Sequence, residues 1–338
     1  MTAPRTRVLF LLPCPLEEHR GNTTTATRLT EELTRRGYEI TQREASSVSV
    51  DDEPNADLIV AFHATLSGPQ AAQLAKAWKV PHLILFTGTD LNGKPTAQST
   101  ELLQQADAAV ALGRSAARRA RDLFPNLGDR LHTIAQGVTP IAYRPGLRLP
   151  DTAPAHDSAT PIVLLPAGLR AIKDPMRAIE ALTPLQREIP DLQLWFLGPV
   201  LESACGEALT TKAEELPWVH VLGAHPRADL LPFYRRANVV LSTSKSEGGA
   251  PNALLEAALI GRPVLASSIP AHREFPGPEH CFRDDRELRK RLREILDQPD
   301  QAMLAARKLQ EIVRQAHSPA AESLAWDRLL RPMRPAQA

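Results

Sequence analysis

The sequence predicts an α/β protein built from two doubly wound domains, and three observations lead to this fold class. Short apolar runs alternate with segments of helical spacing along nearly the whole chain, which is the pattern of parallel strands joined by helical crossovers. The alternation is interrupted once, at residues 147–161, where prolines and polar residues leave little to bury. The length of 338 residues also fits about two domains.

Each half of the chain carries this alternation by itself. In the first half, strands are predicted at 8–12, 57–62, 82–86, 108–112 and 131–134, and helices at 23–36, 69–79, 98–106 and 115–123. In the second half, strands are predicted at 162–166, 193–197, 219–222, 238–243 and after Gly261, and helices at 175–188, 203–216, 228–236, from Asn252, 287–296 and 302–316. We therefore predict Rossmann-like domains at 1–147 and 161–317, joined by a linker at 148–160. A C-terminal helix at 318–338 is expected to complete the first domain.

Composition excludes several classes of function. The net charge of +1 provides no field that would attract nucleic acid, and the aromatic content of 4% disfavours platforms for stacking bases. The apolar run at residues 7–12 is too short to span a membrane. Three distant cysteines, without a Cys/His cluster, indicate neither zinc nor a disulfide framework. We expect a cytoplasmic protein with no metal, no resident cofactor, no nucleic-acid partner and no transmembrane segment.

The most informative segment is a strand, glycine loop and helix around residues 244–257. Glu247 precedes Gly248 and Gly249, and Glu256 lies in the helix that begins near Asn252. In such a unit the ligand binds at the carboxyl end of the strand, and the helix N-terminus favours phosphate. A carboxylate inside the helix can accept hydrogen bonds from sugar hydroxyls. The segment predicts a site for a phosphorylated, hydroxyl-rich ligand; the alternative is a solvated Glu256 beside glycines that only form a turn.

Polar residues also follow three strands of the first half. Gly21 and Asn22 open a helix after the first strand, where glycine permits close backbone approach, although the GxGxxG dinucleotide spacing is absent. His63 and Asp90 each follow a predicted strand, so each would lie at the ligand-binding edge of the sheet. Asp90 is a candidate base or hydroxyl ligand, and the alternative is a turn residue. The alternative for His63 is a structural histidine.

Two cations lie in the loop that opens the second domain. Arg170 and Lys173 follow the strand at 162–166 and precede a helix that starts with Pro175. Proline suits the first position of a helix, and paired cations in such a loop can hold a diphosphate. The alternative is that both side chains are simply solvated.

Taken together, these motifs resemble those of the retaining glycosyltransferases of family 4, which have the GT-B fold. The signature runs from Ser246-Glu247-Gly248 through Pro251-Asn252 to Leu254-Leu255-Glu256-Ala257, and Gly261-Arg-Pro-Val-Leu-Ala266 follows it. The resemblance implies two Rossmann-like domains facing a central cleft, and transfer of a hexose or N-acetylhexosamine from a nucleotide sugar, expected to be UDP-linked. It implies donor binding through these residues: Gly21, Asn22, Arg170, Lys173, Glu247, Gly248, Gly249, Asn252, Leu255 and Glu256. Glu247 would contact the sugar, and Asp90 and His63 join it as catalytic candidates.

A closer likeness is to two related groups within that family. The runs Gly88-Thr89-Asp90-Leu91 and Gly168-Leu169-Arg170 resemble the animal glycosyltransferase-1-domain-containing proteins and the bacterial selenosugar synthases. One alternative is therefore a selenosugar synthase that joins selenophosphate to the sugar of a UDP donor. A second is a non-catalytic sugar-nucleotide-binding protein. The sequence identifies neither the acceptor, a small molecule or a glycan, nor the oligomeric state.

Two features depart from the family pattern. Eight residues separate Glu247 from Glu256, where the family usually has seven, so the additional residue falls in the glycine loop. Many relatives also have a histidine where this chain has the run that ends at Asp90. The first departure bears on the role of Glu247, and the second leaves Asp90 or His63 to replace that histidine.

Overall fold

The computed structural model describes residues 5–17, 21–92 and 94–333. Contacts within the chain define two units. Unit 1 comprises residues 1–137, 248–250 and 316–338, and unit 2 comprises residues 138–247 and 251–315. The predicted domain bounds stay predictions, and residues 334–338 of the predicted terminal segment lie outside the described residues.

In the described part of unit 1, six parallel strands form one sheet in the order β2-β1-β3-β4-β5-β6. They are β1 (Thr6–Leu12), β2 (Tyr38–Glu44), β3 (Leu58–Phe62), β4 (His82–Phe86), β5 (Ala108–Ala111) and β6 (Leu131–Thr133). The helices are α1 (Gly21–Arg35), α2 (Gly68–Trp78), α3 (Ala97–Gln105), α4 (Arg114–Leu123) and, from the C-terminal end, α12 (Pro319–Leu330).

The strands β1, β3, β4 and β5 of unit 1 are largely apolar because helices cover both faces of the sheet. Successive side chains of a strand point to opposite faces. Leu9 and Leu11 of β1 accordingly join a core with α2, α3 and α4. Val8 and Phe10 join a second core with α1 and with Trp326 of α12.

In the described part of unit 2, a second sheet of six parallel strands has the order β12-β11-β10-β7-β8-β9. The strands are β7 (Ile162–Pro166), β8 (Gln193–Leu197), β9 (Val219–Gly223), β10 (Val239–Ser242), β11 (Val264–Ser267) and β12 (Cys281–Phe282). The helices are α5 (Pro175–Glu188), α6 (Ser203–Glu215), α7 (Leu231–Arg236), α8 (Asn252–Ile260), α9 (Pro270–Glu274), α10 (Asp285–Asp297) and α11 (Pro299–Ala316). Residues 134–161 contain no helix or strand.

The order of the second sheet contains a topological switch point. The chain runs outward from β7 to β8 and β9, and then returns to the other side of β7 to form β10 and β11. Val239 and Val240 of β10 pair in parallel with Val163 and Leu164 of β7. The loops at the carboxyl ends of these two strands are therefore neighbours, which is where ligands bind in open α/β sheets.

Several elements differ from the sequence-based expectation, and three of them have a plain physical reason. The edge strand β2 was not predicted, because only Tyr38 is buried, the alternate residues after it are half-buried, and most of the segment is charged or polar. The strand β12 is only two residues long, too short to give a pattern. The helix expected at 228–236 is divided into a 3₁₀ turn at Arg227–Asp229 and the short α7.

Within the described ranges, no helix is both long and apolar enough to cross a membrane.

Candidate functional site

The loops that follow β7 and β10 in unit 2 are held together by hydrogen bonds. The hydroxyl of Thr243 lies 2.9 Å from the carbonyl oxygen of Lys173 and 2.8 Å from that of Asp174. The amide of Lys245 donates to the carbonyl of Ile172 over 2.9 Å. Asp174 adopts a left-handed backbone conformation, with φ 49° and ψ 53°, and its carboxylate lies 3.2 Å from the ammonium group of Lys245.

Lys173 and Glu247 meet at this junction as a short ion pair. The Nζ atom of Lys173 lies 2.5 Å from Oε1 of Glu247, and both side chains are largely buried. Burial acts to raise the pKa of Glu247. The charges of Lys173 and His272, together with hydrogen bonds from Lys173 and Ser244, outweigh this effect. The pKa of Glu247 therefore lies below its ordinary value. Glu247 is therefore an ionised acceptor, and its partner retains further N–H donors for a ligand.

Arg170 is half-buried at the start of the same loop. Its Nε atom is buried, and no hydrogen-bond partner for it lies among the described residues. The next amide, that of Ala171, donates to the carboxylate of Glu202 over 2.7 Å, which fixes the loop beside β8. A buried guanidinium donor without a partner is costly unless a ligand satisfies it. Arg170 therefore has an unused donor in this loop, and its role in binding an anion stays a prediction.

A glycine permits the close approach of this loop to the loop after β8. Gly198 has φ +140°, and a Cβ atom there would lie 2.1 Å from the carbonyl oxygen of Ala167. Any other residue would push the Arg170 loop out of place.

Glu256 lies on α8 with 7% of its surface exposed, and both carboxylate oxygens are engaged. Oε1 accepts from Nε of Arg227 over 2.9 Å, and Oε2 accepts from the hydroxyl of Tyr234 over 2.9 Å. Burial, and then the charge of Glu256, raise the pKa of Tyr234 well above its ordinary value, so the phenol remains a donor. Each carboxylate oxygen has a second lone pair, which leaves capacity for a ligand hydroxyl.

The first residues of α8 differ in what they can offer. The helix begins at Asn252 after Pro251, and its first amides have no carbonyl partner within the helix. The side chain of Leu255 is fully buried, and its amide already donates to the carbonyl of Pro251 over 3.0 Å. Leu255 therefore packs in the core, and phosphate binding at the N-terminus of α8 near Asn252 stays a prediction.

In unit 1, Asp90 and His63 lie together and link the loops that follow β3 and β4. The carboxylate of Asp90 accepts from the amides of Ala64 (3.0 Å), Thr87 (3.1 Å) and Gly88 (2.9 Å). These bonds match the turn role that the sequence left open for Asp90.

His63 is buried and has φ 111°, an unusual backbone conformation for a residue other than glycine. Its Nδ1 accepts from the amides of Thr65 and Leu66, both at 3.2 Å, so the proton of the neutral ring is on Nε2, which lies 2.9 Å from the hydroxyl of Thr89. Burial lowers the pKa of His63, although the charge of Asp90 opposes this. Both ring nitrogens are thus engaged in holding the loop.

The other predicted glycine sites also lie in unit 1. Helix α1 begins at Gly21, followed by Asn22, whereas Arg20 of the same motif lies outside the described residues. A Cβ atom on Gly248 would lie 2.2 Å from Cα of Gly88, and one on Gly249 would lie 2.2 Å from the carbonyl oxygen of Leu112. Close backbone packing within unit 1 therefore explains why Gly248 and Gly249 are glycines.

Comparison with known proteins gives a match to a family model and to similar sequences. Residues 160–298 match the model of the family described as glycosyl transferases group 1. Glycosyltransferase 1 domain-containing protein 1 of Xenopus tropicalis is 25% identical over 283 residues, which is 79% of this chain and 79% of that protein.

The fold is similar to those of solved glycosyltransferase structures. HepE from Anabaena, in complex with UDP and glucose, gives a TM-score of 0.75 at 14% identity, over 97% of this chain and 100% of that chain. Sucrose-phosphate synthase from Thermosynechococcus elongatus gives 0.75 at 18% identity, over 97% of this chain and 99% of that chain. The chain has the GT-B fold. The family match falls on the part of this GT-B chain that contains Arg170, Lys173, Glu247 and Glu256.

Several residues of the site were not identified from the sequence. Arg227 and Tyr234 hold Glu256, and His272 contributes to lowering the pKa of Glu247. Each lies more than 20 positions from the carboxylate it affects, in a different element of the GT-B fold. No local spacing links such residues, and only the packing of the second sheet brings them together.

Among the described residues, no group of three or more His, Cys, Asp or Glu side chains is arranged to hold a metal ion.

Proposed function

We propose that this protein is a family 4 glycosyltransferase that moves a hexose or N-acetylhexosamine from a UDP-sugar to an acceptor with retention of configuration. The observation that carries the proposal is the convergence of Arg170, Lys173 and Glu247 on the loops at the β7/β10 switch point. The loop after β7 carries both a buried guanidinium donor without a partner and the lysine of a short ion pair. The UDP complex of HepE supports the choice of nucleotide.

In this proposal the cations bind the donor diphosphate. Nε of Arg170 would gain the acceptor it lacks, and the ammonium group of Lys173 would use its remaining donors. The N-terminus of α8 at Asn252 would add backbone amides. Breaking a glycosyl–phosphate bond places negative charge on the diphosphate, and fixed positive groups stabilise that charge in the transition state.

Glu256 would accept hydrogen bonds from the ribose. Arg227 and Tyr234 hold its carboxylate in one orientation, and such preorganisation reduces the entropy lost on binding. Glu247 would accept from a hydroxyl of the donor sugar, while Lys173 keeps it ionised and oriented.

The proposed reaction needs no carboxylate nucleophile. The anomeric carbon would become oxocarbenium-like as the bond to the diphosphate breaks, as in glycoside hydrolysis. The leaving phosphate would take the proton of the acceptor hydroxyl on the same face of the sugar, which gives retention. We assign Asp90 and His63 to holding their loops, because their hydrogen-bonding atoms are engaged by backbone amides and by Thr89.

A turnover assay tests the proposal. The protein is incubated in excess EDTA with a panel of UDP-sugars and with sugar, glycan and selenophosphate acceptors, and the release of UDP is measured. We expect UDP release to persist in EDTA, because Arg170 and Lys173 supply the charge that a metal otherwise supplies.

The outcomes of this assay separate the alternatives. Release that depends on selenophosphate would identify a selenosugar synthase, and UDP binding without turnover would identify a non-catalytic binding protein. Loss of release in EDTA, restored by Mg²⁺ or Mn²⁺, would contradict metal independence.

A further inference from the structure

His272 is a fully buried histidine that the proposed reaction does not use. It lies on α9, with 0% of its surface exposed. Its Nδ1 is 2.7 Å from the carbonyl oxygen of Ser267. Because a carbonyl oxygen only accepts, Nδ1 carries the proton of the neutral ring, and Nε2 is left with a lone pair.

Two serine hydroxyls connect this lone pair to Glu247. Nε2 of His272 lies 3.5 Å from the hydroxyl of Ser242, and that hydroxyl lies 3.1 Å from the hydroxyl of Ser244. A hydrogen bond from Ser244 helps to lower the pKa of Glu247. The hydroxyl of Ser267 donates to the carbonyl of Ser244 over 2.5 Å, which holds the backbone at Ser244 in place.

Counting protons shows that the hydrogen bonds of His272 and of Glu247 depend on each other through the two serine hydroxyls. Each hydroxyl has one proton to donate. While the two hydroxyls stay bonded to each other, donation from Ser242 to His272 requires Ser244 to donate to Ser242, and Glu247 then receives nothing from Ser244. If Ser244 donates to Glu247, Ser242 donates to Ser244, and Nε2 of His272 receives nothing. The protonation and presence of His272 therefore bias which groups Glu247 bonds.

We propose that His272 is a positioning residue that sets the hydrogen bonding of Glu247 through Ser242 and Ser244, and with it how tightly the donor sugar is held. The effect on binding of the donor sugar rests on the proposed function, whereas the coupling between His272 and Glu247 does not.

The charges around His272 act in opposite directions. Burial lowers its pKa most strongly and Lys173 lowers it further, while the charge of Glu247 and the bond to Ser267 raise it. The net effect is a pKa below the ordinary value, so the ring is neutral at pH 7. When pH falls through that pKa, Nε2 gains a proton and donates to Ser242. Only the arrangement in which Ser244 donates to Glu247 then remains.

A pair of titrations tests the positioning role. UDP-glucose, UDP-galactose and UDP-N-acetylglucosamine are compared with UDP on the wild-type chain, and the tightest UDP-sugar is used thereafter. His272→Asn keeps an amide donor for the carbonyl of Ser267 but removes the Nε2 position. We expect UDP affinity to be unchanged and UDP-sugar affinity to fall about fivefold, the effect of one net hydrogen bond.

The matched control is His280→Gln. His280 lies in the same unit and also has a pKa lowered by burial, but it is not one of the groups that connect His272 to Glu247. It should change neither affinity. In a double-mutant cycle, His272→Asn combined with Ser244→Ala should lose no more than the larger single variant, because both act through one chain. Equal losses for UDP and UDP-sugar, or losses that multiply, would show a merely structural histidine and overturn the proposal.

Nitrogen-15 NMR tests the coupling without any ligand. We expect the Nδ1-protonated tautomer at pH 7, and a lower pKa of His272 in Glu247→Gln because the negative charge that raises it is removed. An identical pKa in both proteins would overturn the coupling. If no UDP-sugar binds the wild-type chain more tightly than UDP, the sugar contact of the proposed function fails, and the NMR comparison alone decides the inference.

Discussion

The carboxylate of Asp90 accepts hydrogen bonds from three backbone amides in two loops of unit 1. Asp90→Asn replaces one accepting oxygen by an N–H₂ group, which would face an amide N–H instead of accepting from it. We expect the free energy of unfolding to fall by about 1–3 kcal/mol, the cost of a buried donor left unsatisfied. Urea denaturation of the two proteins measures this difference.

The same variant distinguishes the turn role of Asp90 from acid–base catalysis. A residue that only holds the loops should leave UDP affinity intact and change turnover by no more than a few-fold. A fall in kcat/KM of about 10²-fold with unchanged stability would instead assign Asp90 to proton transfer.

At the residue scale, the sequence predicted side chains whose partners follow from their own loops. Lys173 and Glu247 were both expected at the carboxyl edge of the second sheet, and the structure brings them to 2.5 Å. The partners of Glu256 could not be predicted, since Arg227 and Tyr234 reach it from a 3₁₀ turn and a short helix. Side chains that only tertiary packing brings together leave no periodic pattern in the sequence.

At the scale of elements, helix α12 is joined to α1 within unit 1 by a buried ion pair. Nε and Nη2 of Arg28 donate to the two carboxylate oxygens of Glu322 over 2.6 and 3.0 Å, and the side chains are 3% and 1% exposed. The hydroxyl of Tyr38 adds a bond to Asp327 over 2.8 Å. This bidentate geometry fixes the helix in register as well as in place.

Removal of one charge from this pair should strongly destabilise the protein. Glu322→Gln leaves the guanidinium of Arg28 buried without a counter-charge, and we expect the free energy of unfolding to fall by about 3–5 kcal/mol. Urea denaturation measures it, with Glu294→Gln as the control because the Lys290–Glu294 pair is exposed and 3.7 Å apart. The control should cost at most about 0.5 kcal/mol. A loss for Glu322→Gln no larger than the control's would contradict the role of the pair.

The elements that the sequence predicted well are those with a strong local pattern. The central strands are buried on both faces and form continuous apolar runs, such as Leu58–Phe62. Strand β2 could not be recognised, because an edge strand exposes one face and its pattern resembles that of a polar loop. The short β12 is a strand only because it pairs with β11.

At the scale of the whole molecule, the central claim is that unit 2 carries a donor site for a UDP-sugar. The family match at residues 160–298 lies within this unit apart from residues 248–250, and the switch point of its sheet gathers the charged side chains. The alternating pattern predicted both sheets, because every crossover in them is parallel. Which ligand the site takes depends on the geometry of single side chains, and a binding measurement on the full chain decides it.

That measurement is a calorimetric titration of UDP into the full chain and into Glu256→Gln. We expect saturable binding of UDP to the wild-type protein. Affinity in the variant should fall about 10- to 100-fold, which corresponds to about 1.5–3 kcal/mol for hydrogen bonds to a charged group. Arg187→Gln, an exposed arginine of α5, is the control and should bind as the wild type does. Absence of UDP binding, or equal affinity in Glu256→Gln, would contradict the assignment of the donor site.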